Sequence, residues 1–243
     1  MSDWQSLIFR TPDKVNNVND FREHSVRLCY LKEKVAELNM SQLKSLNQPI
    51  AMIKARHSLG AQTLSADDMR GLEPVIYLSK GAKLMLTMNL WTDVGLCNGA
   101  IGTALDFVYA EGEQPPCLPI CLLVQFDEEC KGPSVSSMFQ LCVPICPITQ
   151  VSGSLGQRYE RQQLQLRIAW AMTIHKCQGL TLSKAWIDLG HQKELLELHM
   201  ELHRVKKIQD LIIEPVTLHR LQAVKKLTNF KTSNTLLIKC SFS

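Results

Sequence analysis

The chain is predicted to be an α/β protein, one α/β domain interrupted by a small all-β insertion. Three features of the sequence support this. Near the amino end a strand-type run at 26–31, a helix-type run at 32–46 and a strand-type run at 50–57 follow one another, the order of an α/β layer. Between about 75 and 150 the runs become short and β-type, separated by Asn98-Gly99, the Glu-Gly-Glu-Gln-Pro-Pro of 111–116 and Lys131-Gly-Pro133, all turn chemistry. From Leu164 onward the α/β character returns.

Each element has a local reason. Residues 1–24 are polar with scattered apolar anchors (Trp4, Leu7, Ile8, Val15, Val18, Phe21), and part of them is expected to be helical. The Val-Arg-Leu-Cys-Tyr-Leu run at 26–31 reads as a short buried strand. Over 32–46, Val35, Leu38, Leu43 and Leu46 recur near helical spacing, and Pro49 stops the helix. Short strands are expected at 75–78, 83–88, 101–109, 120–126 and 141–145, and that close spacing suits a small barrel or sandwich. Further on, a strand at 185–189, a helix at 191–207, a strand at 210–213 and a helix at 217–227 complete the α/β part. The expected organisation is therefore α/β over 1–74, β insertion over 75–162, α/β again over 163–230, and a tail at 231–243.

Composition bounds the class. A chain of 243 residues, 45% apolar and 21% charged, is an ordinary globular protein long enough to bury a core. Its net charge of +4 permits a polyanionic partner without demanding one. From residue 191 onward nine Lys/Arg face five Asp/Glu, so the basic excess sits in the tail, where a solvated helical face explains it equally well. No apolar run approaches the roughly 18 residues needed to cross a bilayer. The first residues lack the charged and apolar regions of a signal peptide. Nine cysteines, odd in number and irregularly spaced, suit a reducing compartment better than a disulfide framework. An intracellular protein is expected, with a nuclear and a mitochondrial address indistinguishable.

The chemistry concentrates in residues 164–182. Thr173, His175, Lys176, Gln178 and Gly179 crowd together directly after an apolar run. A buried element would deliver this cationic turn to an exposed edge, where Lys supplies charge, His and Gln supply donors, and Gly lets the backbone approach a phosphate. Nowhere does the chain contain Gly-x-x-x-x-Gly-Lys-Ser/Thr, the loop that cradles a nucleotide's phosphates.

Three stretches together resemble the carboxy-terminal half of a superfamily 1B DNA helicase of the petite-integration-frequency (Pif) type, kin to RecD and Dda. Residues 81–90 (Gly-Ala-Lys-Leu-Met-Leu-Thr-Met-Asn-Leu), running on through 95–102, resemble the start of that family's β-barrel insertion. Residues 161–179 resemble its fifth helicase motif, and 202–210 the degraded end of its sixth. The 27–39 segment fits the fourth motif more weakly. The resemblance implies one RecA-like lobe, without its own phosphate loop, carrying an SH3-like insertion. It implies ATP and Mg²⁺ only in a complete helicase and none bound by this chain alone, with no resident metal. It also implies single-stranded DNA as partner, 5′ to 3′ translocation, and family roles in DNA repair and recombination. Arg204 would be the arginine offered to the ATP cleft, with Gln178, Gly179 and Arg27 lining it. Thr173, His175 and Lys176, with Lys83, Asn89 and Asn98 of the insertion, would face DNA. Phosphoryl transfer is catalysed by positioning and charge neutralisation, which is why a facing lobe would contribute an arginine.

The sequence departs from the family pattern. Where the fifth motif usually reads Ser-Gln-Gly-Gln-Thr, residues 177–181 read Cys-Gln-Gly-Leu-Thr. Where the sixth reads Ala-Leu-Ser-Arg, residues 201–204 read Glu-Leu-His-Arg, and that segment is about two residues short. The first lobe, expected in cis in a full-length protein, is missing, as a truncated gene model or a decayed mobile-element copy would leave it.

Several decoys have plainer readings. The Leu-Leu-Val-Gln-Phe-Asp-Glu run at 122–128 imitates a Mg²⁺-binding strand but falls inside the β insertion, where a strand entering an acidic turn is the simpler account. Cys117/Cys121 and Cys142/Cys146 are spaced like zinc ligands. In a strand, however, such a pair would lie ~13 Å apart at ~3.3 Å per residue, too far for one metal; small buried hydrophobes are the better reading. His199 and His203 with Glu201 between them do not form His-Glu-x-x-His. Trp170 and Trp186 are expected in the core. Two rivals to the helicase reading stand: an independent, weak single-strand-binding module, and a non-functional remnant.

Overall fold

The computed structural model describes residues 10–126, 142–154, 157–177, 180, 182–188, 205 and 207–215. The expected helices at 191–207 and 217–227, the acidic end of the 122–128 run, His199, Glu201, His203 and the tail lie outside them, apart from isolated positions. In chain order the strands are β1 (Val26–Cys29), β2 (Ala51–Lys54), β3 (Arg56–His57), β4 (Val75–Leu78), β5 (Lys83–Leu86), β6 (Ile101–Val108) and β7 (Cys121–Phe126). There follow β8 (Cys142–Ile145), β9 (Ile148–Ser154), β10 (Gln157–Gln163), β11 (Leu166–Ile168), β12 (Ala171–Thr173), β13 (Ala185–Asp188) and β14 (Leu211–Glu214). Two helices, α1 (Val18–His24) and α2 (Lys32–Ser45), belong to the amino-terminal part.

The chain divides into two compact units, Met1–Ala36 with Ala171–Ser243, and Glu37–Trp170. The α/β class holds, with one parallel sheet and several antiparallel ones.

In the first unit four strands pair in parallel in the order β12-β1-β13-β14. A parallel sheet is covered on both faces, so its strands read as continuous apolar runs rather than alternating ones; Ala171-Met172, Ala185-Trp186-Ile187 and Leu211-Ile212-Ile213 are all buried. On one face of this sheet α1 seats Phe21 against Trp186 and Ile212, with Val15 and Val18 beside them. The Asn17 side chain accepts from the Asp20 amide at the start of α1.

In the second unit five antiparallel strands pair in the order β11-β5-β6-β7-β8, accompanied by a β3-β10-β9 sheet and a β2-β4 pair. Leu43 of α2, Ile53, Leu78, Leu84, Leu122 and Ile145 share one core. The segment 37–74, expected with the α/β lobe, thus packs with the antiparallel strands. Two contacts place it there: Arg56 and His57 pair with Gln162 and Arg161, and the buried Arg161 guanidinium gathers the 61–72 segment. Its Nη1 donates to the Ser65 and Leu72 carbonyls at 3.3 and 2.8 Å, its Nη2 to Ala61 and Leu64 at 2.8 and 2.7 Å, and its Nε to His57 Nδ1 at 3.3 Å. A buried guanidinium is tolerated when every donor finds an acceptor.

Two glycines of the second unit are required by their surroundings. A Cβ at Gly102 would lie 2.6 Å from the Gln125 carbonyl oxygen across the β6–β7 pairing, so only glycine fits without moving the backbone. Gly95, at φ +87, closes the turn after residues 92–94.

Candidate functional site

The parallel sheet ends in a row of chemically active residues. In register, Thr173 of β12 lies beside Cys29 of β1, Cys29 beside Asp188 of β13, and Asp188 beside Glu214 of β14. These are the carboxyl ends of the strands, the edge at which ligands bind in open α/β sheets.

The turn leaving β12 is a single 3₁₀ turn, Ile174–Cys177. Residues three apart eclipse in such a turn, so Ile174 and Cys177 point inward and are buried while His175 is exposed and Lys176 half-buried. The Cys177 thiol donates to its own Ile174 carbonyl at 2.8 Å, a contact that a hydroxyl would also make. Thr173 itself is buried. Of the predicted corner, the described part has His175 exposed and Lys176 half-buried on a turn anchored by buried Ile174 and Cys177.

Across the neighbouring strands β1, β13 and β14 the charges are balanced. Arg27 donates to Glu214, lies 3.6 Å from Asp188 and stacks 4.7 Å from the Trp186 ring centroid. Lys34 of α2 pairs with the same Asp188 at 2.6 Å. Two cations and two carboxylates cancel, so this cluster carries no surplus charge for a triphosphate. Burial first, and then the Asp188 charge, pushes the Cys29 thiol up to about 11, which keeps it protonated and unsuited to nucleophilic work.

In the second unit the predicted Asn89 and Asn98 meet: the Asn98 amide donates to Asn89 Oδ1 at 2.8 Å, and both side chains are exposed. Lys83 stands in β5, half-buried and paired in register with Thr103. Arg204, Gln178 and Gly179 lie outside the described residues. Sequence reasoning missed Asp188 and Glu214 as partners of Arg27, and Lys34 as the second cation on Asp188. The signal available was a carboxylate closing each apolar strand, at Ala-Trp-Ile-Asp and Leu-Ile-Ile-Glu. Among the described residues no cluster of His, Cys, Asp or Glu is arranged to hold a metal, and Cys117 and Cys146 are exposed while Cys121 and Cys142 are buried. Trp186 is buried and Trp170 packs against the second unit's core. Among the described residues no helix is long and apolar enough to cross a membrane.

A parallel α/β sheet with a polar carboxyl edge, joined in sequence to an antiparallel β unit, defines a class in which one segment is inserted into another. The chain matches no protein-family profile. It is 30% identical over 195 residues to the ATP-dependent DNA helicase PIF1 of Homo sapiens, a match covering 77% of this chain and 26% of that protein. The crystal structure of Bacteroides sp Pif1 in complex with ADP-AlF4 superposes at a TM-score of 0.62 with 18% identity, over 95% of this chain and 50% of the other. Bacteroides Pif1 bound to ssDNA gives a TM-score of 0.55 at 18% identity, over 94% and 49%. The chain is homologous to the Pif1 family of DNA helicases. It spans about a quarter of the human relative and half of the solved chains.

Proposed function

We propose that the chain serves as the second RecA-like lobe and SH3-like insertion of a 5′ to 3′ DNA helicase, gripping single-stranded DNA and offering an arginine to an ATP cleft. The observation that carries the proposal is exposed His175 beside half-buried Lys176, on a turn anchored by buried Ile174 and Cys177 at the carboxyl edge of a parallel sheet. Phosphates of a single strand are the complementary ligand there, and Lys83, Asn89 and Asn98 are the DNA contacts this reading gives to the second unit by itself. Because Thr173 is buried, it acts by supporting the turn more than by touching DNA.

ATP supplies the free energy of translocation when it is bound. The described residues do not make a nucleotide site by themselves, since Arg27 is neutralised by Glu214 and Asp188. The reading therefore assigns ATP and Mg²⁺ to a cleft formed with a lobe bearing the phosphate loop, with Arg204, Gln178 and Gly179 as this chain's share.

Fluorescence anisotropy with a labelled single-stranded oligonucleotide tests the grip. Affinity should fall as salt rises, with a slope set by the number of phosphates neutralised. Lys176→Ala should reduce that slope by about one. Affinity indifferent to salt would contradict phosphate contact. A stand-alone single-strand-binding module predicts the same salt dependence but no DNA-stimulated ATP hydrolysis once a first lobe is added in trans; the helicase reading predicts hydrolysis there and none by this chain alone.

A further inference from the structure

The loop between β5 and β6 presents an exposed aromatic ring. Trp91 is 49% exposed and the adjacent Leu90 39%. Trp186 and Trp170, by contrast, are engaged in the cores of their units. The loop is held rigidly. Trp91 and Leu96 exchange backbone hydrogen bonds at 2.9 and 3.0 Å, Leu90 donates to the same Leu96 carbonyl at 2.9 Å, and Leu96 is itself buried. The Asn89–Asn98 contact closes the loop's base. A ring displayed from a fixed backbone loses little freedom when it is covered.

Resting on the single-strand reading above, we infer that Trp91 is a stacking platform for one unpaired base. Each base has a π-face, so stacking on an indole is tolerant of sequence. Exposed Asn89 and Asn98 stand on the same loop with amide groups for base edges or sugar oxygens. Across 87–100 the only charged residue is Asp93. This loop therefore has no side-chain cation with which to bind phosphate, so a contact here comes from the ring and the neutral amides and is insensitive to salt. Two kinds of contact are thus separated within the protein: a salt-sensitive one at Lys176 and a salt-insensitive one at Trp91.

The test uses the full chain with a labelled thymidine 20-mer and the same oligonucleotide built of abasic sugars, each at low and moderate salt. Trp91→Ala should weaken binding to the thymidine strand about tenfold, roughly 1.4 kcal/mol, by the same factor at both salts. Trp91→Phe should recover most of the loss, and the abasic strand should bind wild type and Trp91→Ala alike. Equal thymidine affinity in Trp91→Ala, or an equal loss on the abasic strand, overturns the stacking role while leaving the single-strand reading intact. A wild-type chain that binds neither oligonucleotide overturns both.

Discussion

The Arg27 guanidinium lies 3.6 Å from the buried carboxylate of Asp188, at the carboxyl edge of the parallel sheet. Arg27 cannot serve a phosphate while it is held there and by Glu214. Reaching a nucleotide would require exchanging these carboxylates for the anion, a trade that is nearly neutral in charge.

Replacing Asp188 with Asn leaves Arg27 and Lys34 without their shared counter-charge. Because both cations keep water contact, the cost should fall below that of a fully buried pair, about 1–3 kcal/mol. The midpoint of urea unfolding measures it. An unchanged midpoint would mean the pair contributes nothing to the fold.

Arg161→Lys should destabilise the second unit by roughly 2–4 kcal/mol, since one ammonium cannot reach the five acceptors that the guanidinium serves. Thermal unfolding should show the loss. Amide exchange should accelerate first in 61–72, the segment the guanidinium gathers. Protection there unaltered by the substitution would argue against the clamp.

His57 accepts from Arg161 through Nδ1. Burial first, and the Arg161 charge second, hold its pKa below the ordinary 6.5. The unfolded chain therefore takes up this proton before the folded one. The resulting stabilisation is complete above the ordinary value and is lost as pH falls through the folded-state value. Urea midpoints measured from pH 7.5 to 5 should decline more steeply in wild type than in His57→Gln, and parallel curves would remove His57 from the account.

Cys29, buried and with its thiol pushed up, should resist iodoacetamide in the native protein at pH 8, while the exposed Cys117 and Cys146 react. Mass spectrometry after a short pulse distinguishes them, and rapid native labelling of Cys29 is the outcome that would contradict its placement.

Local pattern carried much of the fold. The expected strand at 75–78 forms over Val75–Leu78, that at 101–109 over Ile101–Val108, and the helix at 32–46 over Lys32–Ser45, because apolar period and turn residues are local signals. The β9–β10 hairpin went unseen. Its sequences, Ile-Thr-Gln-Val-Ser-Gly-Ser and Gln-Arg-Tyr-Glu-Arg-Gln-Gln, have no apolar face to show a period of two, and their pairing is set by the partner strand. The exposed His175 and half-buried Lys176 were legible as a cationic turn after an apolar run; the half-exposed Trp91 was not, since a tryptophan in a sequence gives no sign of which way its ring faces.

By itself, then, the amino-acid sequence determined the α/β class, most strand positions, the exposure of His175 after an apolar strand and the kinship with Pif-type helicases, all properties of residues near one another along the chain. The tertiary structure alone decided that Arg161 is a buried clamp, that Arg27 is matched by Asp188 and Glu214, and that segment 37–74 packs with the antiparallel strands. Those outcomes depend on acceptors and partners drawn together from up to 187 positions away, and the desolvation that makes such contacts count exists only once the chain has closed around them.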